Sequence, residues 1–416
     1  MEYIKRTAEK KIHSVLKAGL IALIVGPRQT GKTSLLKHLQ LQAQQKGDLT
    51  LFVDGDYPNQ WEYLFDTESL TARAKETKRL DKRLWVFIDE LQRIENGGIA
   101  LKRIYDLVRR EKLPVYFVAT GSIFLWGRRG IGENLTGRAS EIYLLPFSLR
   151  ELFENLVETQ LDKSNVKAQI QAFRNELKQI WGKILQFGSF PPVWIETLPE
   201  NKRLLAENIT FGHIRRDMLS LVSRGDWGIF QNLLKILATE LGIFSISTLS
   251  KELKCSRHTV QRYLDVAQEL FILKLVGNFG GSLRNELRKR PKPQFVDVGF
   301  IRALTKNWGE TSGMLMEQAV GAELWKAGVK LRHWRTKGGA EVDFVIGENI
   351  PVEIKSGYRG IHLSRGFKSF LDQYSPKVAF WLMPGENETV TYKNTTVHIM
   401  PAEAFILEIE TASEDF

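Results

Sequence analysis

Apolar and polar positions fall into a different rhythm in each part of the chain. In the first third, short continuous apolar runs alternate with polar stretches: LIALIV at 20–25, LTLFVDGD at 49–56, LWVFID at 84–89 and PVYFVATGS at 114–122. Runs of that length without strict alternation predict strands buried on both faces of a parallel sheet. SLLKHLQLQAQQ, after the first run, has the helical period of an element that covers such a sheet. From about 148 to 240 strand signals fade, and RELFENLVETQ and VKAQIQAFRNELKQIW predict amphipathic helices forming a lid. Within that region FGSFPPVW at 187–194 predicts a turn, because Pro191-Pro192 cannot continue a helix. Residues 243–277 have a helix–turn–helix cadence, ISTLSKEL then KCSRH then TVQRYLDVAQEL, and the strand-like FILKLVG after it predicts a winged-helix variant. Val260, Tyr263, Leu264 and Ala267 recur at three- and four-residue intervals and are expected to face the core. Further on, a helix is predicted in MLMEQAVGAELWKAG (314–328) and two alternating strands in VDFVI and PVEIK. Another helix is predicted in GIHLSRGFKSFLDQYS (360–375) and a strand in VAFWLMPG (378–385). The chain therefore reads as α/β with four parts: a parallel-sheet core (1–150), a helical lid (151–235), a winged-helix-like module (236–292) and a C-terminal α/β domain (293–416).

Composition narrows the class. With 416 residues, 43% apolar and 26% charged, the chain is ordinary for a globular protein, which excludes a mainly disordered, collagen-like or disulfide-stapled one. It holds no run of about 18 apolar residues, so no membrane span is expected. MEYIKRTAEKK at the start lacks the apolar segment of a secretory signal. A single cysteine, Cys255, permits no internal bridge or multi-cysteine zinc site, and a reducing cytoplasm is expected. The formal charge is +11, unevenly spread: residues 251–300 hold ten Lys/Arg against five Asp/Glu, whereas the last 66 residues hold six against nine. A surplus confined to one segment fits a polyanion-binding surface, with a merely solvated face as the alternative.

The first apolar run leads directly into Gly26, Pro27, Arg28, Gln29, Thr30, Gly31, Lys32, Thr33 and Ser34, which fits G-x-x-x-x-G-K-[ST] between a strand and a helix. The glycines let backbone N–H groups turn inward around a triphosphate, and the helix N-terminus adds positive potential. Lys32 is expected on the β- and γ-phosphates of ATP and Thr33 on Mg²⁺. Asp89 and Glu90 end the third run, where Asp89 can hold the Mg²⁺ shell and Glu90 can orient the attacking water. Thr120 and Ser122 end the fourth run and either sense the γ-phosphate or cap the following loop. WGRRGIGENLTGRAS then offers Arg128, Arg129 and Arg138, of which Arg138 is the candidate to neutralise developing charge, in cis or from a neighbouring subunit. Surface solubility is its competitor.

GPRQTGKTSLL (26–36), FIDELQ (87–92), ATGS (119–122) and LTGRASEIYLLPFSLREL (135–152) together resemble a family of prokaryotic AAA+-type P-loop ATPases. In that family a C-terminal domain of uncharacterised function, the DUF4143 type, follows the ATPase. RRDM (215–218), TVQRYLDVAQELFIL (259–273), RPKPQFVDVGF (290–300) and AEVDFVIGENIPVEIKSG (340–357) match its layout. The resemblance implies ATP binding and a nuclease-type C-terminal fold. Such relatives commonly work as rings with an arginine acting across the subunit boundary, which makes a homo-oligomer an open expectation.

In the helix–turn–helix segment, Arg257, His258, Gln261 and Arg262 lie near the start of the second helix, where base edges or phosphates would be met. Arg284, Arg288, Lys289, Arg290 and Lys292 extend the basic cluster, and phosphate contacts from it would weaken steeply with salt. DNA is the favoured partner; packing between the larger domains is the alternative.

The last informative string runs from Glu341 to Lys355. Gly347–Asn349 reads as a three-residue turn, so Asp343 and Glu353, each five residues from position 348, stand directly opposite, and Lys355 shares their face. Two carboxylates can bind Mg²⁺ or Mn²⁺, and the lysine can orient water or balance charge at a phosphate. This resembles the PD-(D/E)xK nuclease fold, with Ala340-Glu341-Val342 where the motif's leading proline would stand. That resemblance implies a metal-shell glutamate on the preceding helix, Glu317 rather than Glu323. Paired like charges repel, which a bound cation would explain; an inert charged hairpin is the alternative. Three functions stay open: an ATPase acting on nucleic acid with a metal-dependent nuclease, an ATPase whose nuclease-like domain is a silent DNA- or protein-binding module, and an ATPase whose substrates are proteins.

Overall fold

The computed structural model describes residues 3–121, 134–218, 226–280, 290–357, 362–385 and 387–412. The chain divides into two compact units, Met1–Leu145 and Pro146–Phe416.

The first unit is built on a five-stranded sheet: β1 (Ile21–Val25), β2 (Leu49–Asp54), β3 (Leu84–Asp89), β4 (Val115–Gly121) and β5 (Ala139–Tyr143), in the order β2-β3-β4-β1-β5. Every pairing is parallel. Each of the four apolar runs forms one strand. The edge strand β5 comes from ASEIY, mostly polar and half-exposed, and gave no apolar run to read. The alternation of β1 explains the burial on both faces. Ile21, Leu23 and Val25 pack with Leu70, Leu101 and Ile104 on one side, while Ala22 and Ile24 pack with Ile12, Leu35 and Leu39 on the other. A parallel sheet feeding a glycine loop and a helix, Lys32–Gln45, is the P-loop NTPase (AAA+) fold expected from the sequence.

The second unit begins with helices. Leu149–Val157 is started by a capping box between Ser148 and Glu151. Pro191-Pro192 does not form a turn: the two prolines open a short helix, Pro191–Ile195, because a proline in the first turn loses no intrahelical bond. The break falls just before it at Gly188, whose φ is +79° and where a Cβ would lie 1.9 Å from Asp297. Ile246–Glu252 and Arg257–Glu269 are the expected helix pair, with Val260, Tyr263, Leu264 and Ala267 buried. An eight-stranded mixed sheet follows: β6 (Leu273–Asn278), β7 (Lys292–Phe295), β8 (Arg332–Arg335), β9 (Glu341–Ile346), β10 (Ile350–Ile354), β11 (Val378–Leu382), β12 (Glu388–Tyr392) and β13 (Thr395–Met400), ordered β12-β13-β11-β10-β9-β8-β6-β7. β6 pairs with β7 antiparallel and with β8 parallel, so the wing-like strand and the C-terminal strands share one sheet. The helix Arg365–Tyr374 packs on it through Phe367, Phe370 and Leu371. No helix among the described residues is long and apolar enough to cross a membrane.

Candidate functional site

In the first unit the loop after β1 turns on Gly31, which takes the left-handed φ of +91° at the helix N-cap. Gly26 is fixed by proximity instead: a Cβ there would lie 2.2 Å from the Leu144 carbonyl oxygen. Lys32 is largely buried and donates to the carbonyls of Gly26 at 3.0 Å and Pro27 at 2.8 Å, while Gln29, Thr33 and Ser34 are exposed along the loop and Arg28 is half-buried. The Thr33 hydroxyl donates to Asp89 Oδ2 at 2.6 Å, which places the end of β3 directly beside the loop. Thr120, buried at the end of β4, donates to the other Asp89 oxygen and accepts the Glu90 backbone N–H at 2.9 Å. Glu90 itself sits at φ +48°, with Gln92 donating to its Oε2 and Arg93 Nε 3.6 Å from the same oxygen. Arg93 also pairs with Asp56. The donor set of a hydroxyl and a carboxylate is all oxygen and suits Mg²⁺.

One supporting residue has no signal in the motif. Arg6, only 5% exposed, donates to the Thr30 carbonyl in the loop at 2.7 Å and to the Leu145 carbonyl at 2.7 Å. It ties the phosphate loop to the last residue of the first unit.

Arg138 lies elsewhere. β5 runs parallel to β1 with Ile21 opposite Ala139, so Arg138 stands at the sheet edge where β1 begins. The phosphate loop leaves the other end, roughly 16 Å away at about 3.3 Å per residue. Its guanidinium makes a two-pronged pair with Asp106, at 2.7 and 3.0 Å. Arg138 is thus paired with Asp106 at the end of the sheet away from the phosphate loop of its own subunit; a route across a subunit boundary and plain surface solubility are the readings that stay open. Ser122, Arg128 and Arg129 lie outside the described residues.

On the helix Arg257–Glu269, Arg257 and His258 stand exposed in the first turn, which contains no acidic residue. Gln261 donates to Asp265 at 2.9 Å, and Arg262 pairs with Asp226 at 3.1 Å. Arg290 is exposed, and Arg284, Arg288 and Lys289 lie outside the described residues. Lys292 does not belong to a surface cluster. It is 5% exposed and its ammonium contacts the Glu317 carboxylate, with Glu341 Oε1 at 4.0 Å.

The hairpin of β9 and β10 has the register Ile346–Ile350 and Phe344–Val352, which sets Asp343 opposite Glu353. Asp343 Oδ2 accepts the Ile354 N–H at 2.8 Å, and Lys355 donates to Glu353 Oε1 at 2.7 Å while lying over the Trp381 ring. Ser364 also reaches that Glu353 oxygen; Glu353 Oε2 is buried with no partner among the described residues. Burial, with Asp343 adding to it, raises Glu317 to about 8, opposed by Lys292. Burial, again with Asp343, raises Glu353 to about 7. Asp343 is raised by burial as well. At Lys292 burial pulls the ammonium down, but Glu317, Asp343 and Glu341 outweigh it, and the net direction is up. A divalent ion does not fit this arrangement: among the described residues no three His, Cys, Asp or Glu are placed to share one, and Lys292 already holds Glu317. The expectation that Glu317 completes a metal shell with Asp343 and Glu353 is corrected on that ground. Glu323 is a structural group, buried against Lys326 at 2.6 Å and accepting the Leu149 N–H at 2.7 Å.

Beside the hairpin, Gly313, Lys355, Ser356, His362 and Trp381 line a cleft of about 610 Å³.

Comparison with known proteins gives three matched segments. Residues 19–153 match a family described as an AAA domain, 178–311 a domain of unknown function (DUF8612) and 312–405 another (DUF4143). The AAA and DUF4143 domains expected from the motif set are thus both present. Among curated proteins nothing matches. Similar solved structures include the Aeropyrum pernix Orc1 protein in complex with DNA, at 16% identity over 72% of this chain and 91% of that one, with a TM-score of 0.29. AMPPCP-bound DnaA from Aquifex aeolicus is 16% identical over 64% and 90%, with a TM-score of 0.28. RuvB from Thermotoga maritima is 14% identical over 70% and 90%, with a TM-score of 0.27.

Proposed function

We propose that this chain is an ATP-hydrolysing switch that acts on nucleic acid, with DNA as the favoured partner, and that its nuclease-like C-terminal domain binds rather than cuts. The ATPase reading rests on one observation above all, the Asp89 carboxylate held between Thr33 and Thr120 at the mouth of the phosphate loop. In this reading the loop N–H groups and the N-terminus of Lys32–Gln45 bind the triphosphate. Lys32 exchanges its bonds to Gly26 and Pro27 for the β- and γ-phosphates. Thr33 and Asp89 hold Mg²⁺, which supplies charge neutralisation on the phosphates. Glu90, braced by Gln92 and positioned through its N–H on Thr120, orients the attacking water. The nucleic-acid part is supported by the exposed Arg257 and His258 at a helix start and by the local basic surplus. Silence of the C-terminal domain is supported by Lys292, a lysine outside the hairpin whose ammonium already holds Glu317.

ATP turnover and strand scission measured side by side, with and without single- and double-stranded DNA, test the whole reading. Lys32→Ala is expected to weaken nucleotide binding, and Glu90→Gln to keep binding while abolishing turnover. Normal turnover in Glu90→Gln would remove Glu90 from the role assigned here. Absence of DNA binding even at low salt would turn the reading toward protein substrates.

A further inference from the structure

In the second unit, Lys292 is the one member of the acidic notch that comes from outside the hairpin and its helix. It opens β7 at the far edge of the sheet, and its side chain is 7% exposed. The ammonium touches Glu317 on the helix Gly313–Lys326 and lies 4.0 Å from Glu341 on β9. Asp343 also acts on it through charge. A buried ammonium is retained only where its desolvation is offset by close opposite charge. Here the carboxylates supply that offset, and the ammonium removes the repulsion that would otherwise separate them. Lys355 plays the matching part at the other end, on Glu353 Oε1 at 2.7 Å and over the ring of Trp381. Four carboxylates, Glu317, Glu341, Asp343 and Glu353, are thus met by two ammonium groups. Mg²⁺ or Mn²⁺ would need about six oxygens around one point at about 2.0–2.1 Å for Mg²⁺, with a second cation already lodged among them. The repulsion between those cations is strong in a poorly screened site.

We propose that Lys292 is a built-in cation that takes the place of a divalent ion in the notch formed by Glu317, Asp343 and Glu341. The sheet then keeps the shape of a metal-dependent nuclease site while needing no metal to hold it together. This rests on the silent-domain reading above and is independent of the ATPase reading, since all its residues lie in the second unit.

The test is a Mn²⁺ titration of the nucleotide-free full chain, followed by electron paramagnetic resonance, with thermal melting in parallel. Wild type and Asp343→Asn are expected to take up the same amount of Mn²⁺. Lys292→Met is expected to gain one Mn²⁺ per chain, to lose it again in Lys292→Met combined with Asp343→Asn, and to melt higher when Mn²⁺ is added. Wild-type uptake that drops in Asp343→Asn would overturn both this inference and the silent-domain reading. A folded Lys292→Met chain that gains no Mn²⁺ would overturn the inference alone and leave that reading standing. If Lys292→Met does not fold, equal uptake by wild type and Asp343→Asn supports the inference and unequal uptake overturns it.

Discussion

Single side chains decide the proposed ATP site because the buried Asp89 carboxylate there is held by a few specific donors. Asp89 is 4% exposed and depends on two hydroxyls, one from the loop and one from β4. Thr120→Val keeps the shape, removes one donor from that carboxylate and takes the nearer of two acceptors from the Glu90 N–H. Losing a partner of a buried polar group costs about 1–3 kcal/mol. The variant is therefore expected to unfold at lower denaturant and to lose turnover more than nucleotide affinity, as urea titration, kcat and nucleotide binding would read out. Unchanged unfolding and kcat would show that Thr120 only caps the loop. Lys32, Thr33 and Asp89 were legible in the sequence because the phosphate-loop spacing and the strand-end carboxylate are local patterns. Arg6 was not: inside MEYIKRTAEKK it looks like one more surface charge, and only the fold buries it against Thr30 and Leu145. Lys292 was misread for the same reason, since RKRPK reads as a basic run until a neighbouring helix closes over one member.

At the scale of elements, period and register carried most of the information. Counting from position 348 placed Asp343 opposite Glu353, and the ladder of β9 and β10 has that register, since a period of two leaves a short hairpin little freedom. The count could not show what approaches the hairpin's face from β7 and from the helix Gly313–Lys326, and there the electrostatics are set. Burial, with Asp343 adding to it, raises Glu317 from 4.5 to about 8, so across that window the folded chain takes up more protons than the unfolded one. Its stability must then fall as pH rises from about 4.5 to about 8, because the unfolded chain gives up its proton first. Glu353 adds to the same trend up to about 7. Glu317→Gln keeps an acceptor for Lys292 and removes the proton, and it is expected to make the fall shallower. Thermal midpoints measured across the window test this; an unchanged slope would place the pH dependence elsewhere.

For the whole molecule, the division into two units separates the residues proposed to turn over ATP from those proposed to meet nucleic acid. The phosphate loop, Asp89, Glu90 and Thr120 all lie in Met1–Leu145, whereas Arg257, His258 and Arg290 lie in Pro146–Phe416. Substituting the second set should therefore leave basal turnover intact while weakening any response to DNA. Removing a phosphate-contacting cation lowers the salt dependence of binding by about one counterion per contact, uniformly across sequences. Arg257→Ala combined with Arg290→Ala is expected to reduce the slope of log affinity against log salt by about two and to blunt DNA-stimulated ATP turnover without changing the rate in its absence. Loss of basal turnover would mean that these arginines serve the ATPase itself. An unchanged slope together with unchanged stimulation would move the nucleic-acid surface off the helix Arg257–Glu269. The cleft beside Lys355 and His362 would then be the next surface to test, since its two basic side chains face a cavity large enough for a phosphodiester.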